Sequence, residues 1–213
     1  MLRGLKERLL FLYKFLQAPL STGNIVPSSR RLAQALLESI PWEQVNSLAE
    51  LGAGTGAVTR HLPSAQQPMQ VLLFEKDPEL RRRLKLQFPD YRFYPDSSRL
   101  RLALHNGKLE KLDCIVSGLP FWSMGSEKRM QLLSQISASL KDEGMFVVFS
   151  YYFKQIQKDL KPFFDIQRSM FVPLNFPPAV VYVCRKKANA DSEKKVPWLS
   201  VVAAKDSRVL LER

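Results

Sequence analysis

The sequence predicts an α/β protein built on a doubly wound, largely parallel sheet. Short apolar runs alternate with amphipathic stretches through the middle of the chain, and a glycine-rich turn follows the first of these runs. The last two apolar runs are separated by a proline-rich turn with no helix between them. Asn46 to Leu51 reads as the first strand, and Gly52-Ala-Gly-Thr-Gly56 as a tight turn into a helix. Val71–Phe74 is strand, Pro78–Phe88 helix, Tyr91–Tyr94 a short strand, and residues near Arg99–Leu104 are helical. Leu112–Val116 is a buried strand, Glu127–Leu140 a helix ended by Gly144, and Met145–Ser150 the next strand. Met170–Val172 and Val180–Cys184, joined through Pro173 to Pro178, read as an antiparallel hairpin at the sheet edge.

Two helices are expected before this alternation. In Met1 to Leu20, the residues Leu2, Leu5, Leu9, Leu12 and Leu16 recur at steps of three and four and so share one helix face. Arg3, Lys6, Arg8 and Lys14 border that face, and Pro19 stops the helix. The charges are interleaved with the apolar positions and no small-residue cleavage site follows, which excludes a signal peptide. A second helix is expected over Arg30 to Ile40. The chain therefore divides into an N-terminal helical cap or membrane-surface segment over 1–40, an α/β domain over 41–185, and a polar linker and tail over 186–213.

At 213 residues the chain holds one α/β domain with a full core. A formal net charge of +12 implies an anionic partner, either a nucleic acid or an acidic membrane surface. Cys114 and Cys184 lie in apolar strands and read as reduced core thiols of a cytosolic protein. Neither has metal-site spacing, and with only His61 and His105 to help, no metal is expected. No stretch reaches the ~20 apolar residues that span a bilayer.

The glycine turn admits close approach of a ligand to backbone, and dinucleotide-binding proteins use similar turns. Two features separate the cases. Glu50 ends the first strand immediately before the turn, where its carboxylate would repel a pyrophosphate but suits the ammonium of S-adenosylmethionine. Glu75 ends the next strand, where a carboxylate accepts both hydroxyls of a ribose, and Asp96 follows the third, within reach of an adenine amino group.

In the run Glu50-Leu-Gly-Ala-Gly-Thr-Gly56 the sequence resembles the class I S-adenosylmethionine-dependent methyltransferases, over about Asn46 to Arg185. The resemblance implies a Rossmann-like, doubly wound seven-stranded sheet with an antiparallel C-terminal hairpin. It also implies that Glu50, Gly52, Ala53, Gly54, Thr55 and Gly56 hold the amino-acid part of the cofactor. Glu75 and Lys76 then flank the ribose, Asp96 and Ser97 the adenine, and Ser117 and Gly118 close the site from the fourth strand.

The methyl acceptor is read from Ser117-Gly-Leu-Pro-Phe121. Enzymes that methylate planar bases place Asn or Asp at the first position; Ser117-Gly118 departs from that, although Leu119-Pro-Phe121 keeps the turn and an aromatic. The variant resembles the bacterial phospholipid N-methyltransferases, as do Thr22–Ala33, Phe146–Tyr151 and Leu174–Val183. The implied reaction is methylation of a lipid amine such as that of phosphatidylethanolamine, on the inner, cytoplasmic face of the membrane. Ornithine-lipid methyltransferases share the pattern, and an rRNA adenine N6-methyltransferase is the alternative from a different class. Ser117, a carbonyl of Gly118 or Leu119, and Tyr151 are the candidates for positioning the amine, with Phe121 against the substrate and Arg30 against a lipid phosphate.

Overall fold

The computed structural model describes residues 29–63, 69–175 and 177–187. The amphipathic helix expected over Met1 to Leu20, and all of the tail beyond Lys187, lie outside the described residues. Seven strands form one sheet: β1 (Ser47–Leu51), β2 (Gln70–Phe74), β3 (Arg92–Tyr94), β4 (Leu112–Ser117), β5 (Leu140–Ser150), β6 (Phe164–Val172) and β7 (Ala179–Lys186). Their order is β3-β2-β1-β4-β5-β7-β6. The first five run parallel, and β7 lies antiparallel between β5 and β6. β6 therefore points the same way as β5, so the β6–β7 turn sits at the edge where β1, β4 and β5 end. Chain order reverses between β1 and β4, and a doubly wound sheet opens a ligand crevice at that switch point.

Among the described residues five helices cover the sheet: α1 (Arg30–Leu37), α2 (Pro78–Gln87), α3 (Leu100–Asn106), α4 (Ser126–Ser139) and α5 (Phe153–Leu160). Their starts follow from capping chemistry. The Ser29 hydroxyl accepts from the amide of Leu32, and the Asp77 carboxylate accepts from Glu79 and Leu80 with Pro78 as the first helical residue. Side chains alternate across a strand, so β1 feeds both faces. Ala49 and Leu51 join Leu72, Phe74, Leu104, Leu133 and Ile136 in one core; Leu48 joins Leu32, Leu36, Val71, Leu73, Leu84 and Val116 in the other. At the opposite edge from the crevice, Asp113 ties the strand starts together. It accepts from the amides of Asn46 and Ser47 at 3.0 and 2.9 Å and pairs with Lys141 at 2.6 Å.

The departures from the sequence reading have local causes. The glycine turn leads into a single 3-10 turn, Thr59–His61, where an α-helix was expected. Leu62 precedes Pro63 and takes the extended conformation (ψ 139°) that a following proline imposes. The helix expected to reach Leu140 ends at Ser139, and Leu140 already begins β5, which carries a left-handed Glu143 (φ 62°) before Gly144. β6 starts at Phe164, six residues before the expected Met170, and α5 was not foreseen. β7 runs through Lys186, one residue past the expected domain end.

Candidate active site

The C-terminal edges of β1, β2 and β4 build the crevice. The amides of Gly52 and Ala53 donate to the Phe74 carbonyl at 2.8 and 3.0 Å, which turns the chain sharply over the end of β2. Gly118 donates to the Leu51 carbonyl at 2.8 Å. The two loops then touch. A Cβ on Gly118 would stand 2.9 Å from the Gly52 oxygen, and one on Gly52 (φ +77°) would stand 2.9 Å from Leu119 Cδ2. Gly118 needs glycine for this close approach to backbone, and Gly52 for its left-handed conformation. A Cβ on Gly54 would meet nothing within 4 Å, so the loop presents open space there. Thr55 is exposed and Ala53 buried, while Gly56 lies against Leu84 of α2.

Glu50 occupies a β1 position on the same face as Leu48, where an apolar side chain would be expected. It is 2 % exposed and accepts from the Thr59 hydroxyl at 2.7 Å. Burial pushes its carboxyl up to about 8, against the bonds from the Thr59 side chain and backbone that favour ionisation. Such a buried acid suits a cationic ligand group, which would restore the charged form. Glu75 is also buried, and it braces the site. Its Oε2 accepts from the Gly54 amide at 2.7 Å and its Oε1 from the Asp77 amide at 2.8 Å. An ionised carboxylate has about four acceptor positions, so both oxygens retain capacity for a ligand. Asp96 caps the turn Ser97–Arg99 through the Ser98 amide at 2.9 Å, with its side chain half exposed. Lys76 is exposed, and its carbonyl accepts from Arg81 at 3.2 Å.

The acceptor side lies across the switch point. Ser117 ends β4 between Leu51 and Val148. It is fully buried, and its hydroxyl accepts from the Leu119 amide at 3.3 Å, so it shapes its own loop. The Leu119 carbonyl accepts from Phe121 at 2.9 Å within the turn. Phe121, expected against the substrate, is 1 % exposed and packs edge-on to Phe146 in the core. Its neighbour Trp122 supplies the ring on this side, 4.7 Å from Tyr151, with Phe149 5.4 Å from Tyr151. Burial raises the Tyr151 phenol, and a hydrogen bond with the Asn175 side chain opposes that rise. Arg30 is exposed at the first turn of α1. The sheet edge thus gathers Glu50, Glu75, Ser117, Gly118 and Tyr151, while Phe121 faces the core and Arg30 stands outside on the helix.

Several contributors carry no clear mark in the sequence. Thr59, which holds Glu50, and Asn175 both lack one. So does Arg129, whose Nε pairs with Asp159 at 2.6 Å in a buried contact while Nη1 holds the Met124 carbonyl at 2.7 Å. That pair pins the loop after β4 against α5. Among the described residues no group of three or more His, Cys, Asp or Glu is placed to hold a metal.

Comparison with known proteins decides the family. The chain is 32 % identical over 186 residues to an ornithine lipid N-methyltransferase of Singulisphaera acidiphila, covering 85 % of this chain and 97 % of that one. The chain belongs to the class I S-adenosylmethionine-dependent methyltransferases. As an N-methyltransferase it takes S-adenosylmethionine as its cofactor, the group that supplies the methyl for transfer. The buried Glu50 acid and the open loop at Gly54 fit a cationic nucleoside of this kind. The methyltransferase is also 25 % identical over 206 residues to ribosomal RNA small subunit methyltransferase A of Thermotoga petrophila, covering 88 % and 76 % of the two chains. No family model matches it. Its fold is shared with N-methyltransferase NodS of Bradyrhizobium japonicum, at a TM-score of 0.63 and 13 % identity, over 75 % of this chain and 96 % of that one.

Proposed function

We propose that this methyltransferase acts on the primary amine of a membrane lipid head group, as in ornithine lipid or phosphatidylethanolamine, at an anionic membrane surface. The observation that carries the reading is the 32 % identity to an ornithine lipid N-methyltransferase along 97 % of that protein. Two features of the chain support it. Ser117-Gly118 stands where a planar-base enzyme carries Asn or Asp. An apolar rim also borders the acceptor edge. Tyr152, Phe153, Phe171 and Leu174 are 44, 39, 60 and 67 % exposed, with Phe153 and Phe171 6.3 Å apart and Lys154 exposed beside them. Aromatic and apolar side chains flanked by cations suit the interfacial zone of an anionic bilayer. Among the described residues no helix is long and apolar enough to cross a membrane.

In this reading Glu50 faces the ammonium of S-adenosylmethionine and Glu75 its ribose, with Asp96 and Ser97 toward the adenine and Lys76 outside. The backbone of Gly52–Gly56 and Gly118 forms the wall. An alkyl ammonium ordinarily titrates near pH 10, so the acceptor side has to hold it deprotonated. A poorly hydrated aromatic pocket lowers an amine's pKa, and the Tyr151 hydroxyl orients the nitrogen while the carbonyl of Gly118 accepts from it. Arg30, on the exposed first turn of α1, is available to a lipid phosphate.

The second reading is methylation of an rRNA adenine, supported by the relative from Thermotoga petrophila and the net charge of +12. Purified protein with labelled cofactor, offered amine-lipid vesicles and rRNA separately, tests the choice. Label in the lipid is expected, and label in the RNA alone overturns the lipid reading.

A further inference from the structure

We propose that the buried Arg129–Asp159 ion pair is a positioning device for methyl transfer, gripping the turn that presents Trp122 to the methyl acceptor. The inference rests on the reading that the acceptor lies beside Trp122 and Tyr151. Both charges stand where an apolar side chain is expected. On α4, Arg129 shares a helix face with Leu133 and Ile136, and on α5 Asp159 lies on the stripe of Ile156 and Leu160; those four apolar neighbours belong to one core. Arg129 and Asp159 are each 7 % exposed, and Arg129 Nε donates to Asp159 Oδ2 at 2.6 Å. Gln155, one turn earlier on α5, donates to the two Asp159 oxygens at 3.0 and 3.1 Å.

Holding two helices together does not require charge. Replacing a buried ion pair with apolar side chains of similar volume is often neutral or stabilising, so packing alone does not call for these residues. What an arginine adds is a planar fork of donors. Here Nη1 donates to the Met124 carbonyl at 2.7 Å and reaches the Phe121 carbonyl at 3.5 Å. Those carbonyls bracket the 3-10 turn Phe121–Ser123, which holds the Trp122 ring with its centroid 4.7 Å from that of Tyr151. The grip extends backward, because the Phe121 amide donates to the Leu119 carbonyl at 2.9 Å and the Ser123 amide to the Pro120 carbonyl at 3.0 Å. Asp159 fixes Nε and so aims the fork, from a helix that begins two residues after Tyr151. The pair thereby joins the loop after β4 to the segment that follows β5. Arg129 and Asp159 touch neither cofactor nor acceptor in this account. They act through the turn that carries Trp122, and orientation of that kind alters rate without altering cofactor binding.

An apolar replacement in the full chain separates positioning from stability. Arg129→Met with Asp159→Leu should melt within about 4 °C of the parent, because the volume is filled and no buried charge is left unpaired. Its kcat/KM for the amine lipid should nonetheless fall on the order of 10-fold at a temperature where it is folded. Affinity for S-adenosylhomocysteine should stay within about 2-fold of the parent. Arg129→Lys keeps a charge opposite Asp159 but loses the fork. It should show the same loss, so the test stands even if the apolar pair does not fold. In a Trp122→Ala background Arg129→Lys should cost less than about 2-fold, as residues acting through one turn require. An unchanged kcat/KM in either folded variant overturns the proposal and makes the pair a packing element. Losses that multiply with Trp122→Ala overturn it too, as does a matching loss of S-adenosylhomocysteine affinity, which a collapsed crevice would give. Label entering rRNA instead of lipid in the parent overturns the lipid reading alone, and the same variants are then read on rRNA with the same losses expected.

Discussion

The two halves of the crevice are built from different chemistry. The half proposed to hold the cofactor, at the ends of β1 and β2, carries two buried carboxylates, Glu50 and Glu75, each bonded to its neighbours at 2.7 to 2.8 Å. In the acceptor half, at the ends of β4, β5 and β6, the buried carboxylate among the described residues is Asp159, and it is already paired with Arg129 at 2.6 Å. That half is made of the Trp122, Phe149 and Tyr151 rings, a buried serine and a buried amide. A cationic cofactor demands negative charge. An amine that must arrive neutral is better served by rings and dipoles, because a nearby carboxylate would favour its ammonium form.

The largest effect that would break this contrast is expected at Glu75. Glu75→Ala removes the acceptor for the Gly54 and Asp77 amides, and hydrogen bonds to a charged group are worth about 1.5–3 kcal/mol each. Cofactor affinity by calorimetry should fall on the order of 100-fold while circular dichroism shows an intact fold. Retained affinity would remove Glu75 from the cofactor half.

Glu50→Gln comes next, with opposite signs in its two readouts. Cofactor affinity should fall on the order of 10-fold, because the charge that answers the ammonium is lost. Stability of the cofactor-free protein should rise at pH 8. The folded carboxyl sits at about 8 against an ordinary 4.5, so between those values the folded state holds a proton that the unfolded state has released. Parent stability is therefore lost as pH climbs through that window, and Gln cannot ionise. Melting temperatures of the two proteins should coincide near pH 5 and separate by roughly 5 °C near pH 8. A constant difference across that range would show that Glu50 is ionised throughout.

On the acceptor side, Trp122→Ala should reduce kcat/KM for the acceptor by ~10-fold with cofactor affinity unchanged, the reverse of the Glu75 pattern. The smallest effect belongs to the rim. Phe171→Ser with Leu174→Ser should weaken vesicle binding by a few-fold and leave cofactor affinity alone, measured by co-sedimentation with anionic vesicles. Unchanged sedimentation would move the membrane contact elsewhere on the protein.

Where the residues proposed to hold the cofactor lie in the fold was legible in the sequence because they are local. A strand, its terminal acid and the glycine turn are contiguous, so Glu50 and Gly52–Gly56 could be placed on one crevice wall, and Glu75 follows one strand later. The hairpin was legible because no helix separates the strands, although strand period alone did not reveal that β6 begins at Phe164. The acceptor half depends on contacts distant in sequence. Asn175 meets Ser29 across 146 positions and Arg129 meets Asp159 across 30, and neither has a local pattern. The choice between Phe121 and Trp122 turns on the phase of one 3-10 turn, which a one-residue shift reverses. Thr59 escaped notice because Pro63 cuts short the helix on which it was expected to lie.

The central claim is that a carboxylate-lined cofactor half delivers methyl to a lipid amine in a carboxylate-poor acceptor half. Incubating the purified protein with methyl-labelled S-adenosylmethionine and vesicles of an amine lipid, with rRNA in a parallel reaction, tests it most directly. Label on the lipid head-group nitrogen is the predicted result. Label confined to RNA adenine would contradict the account.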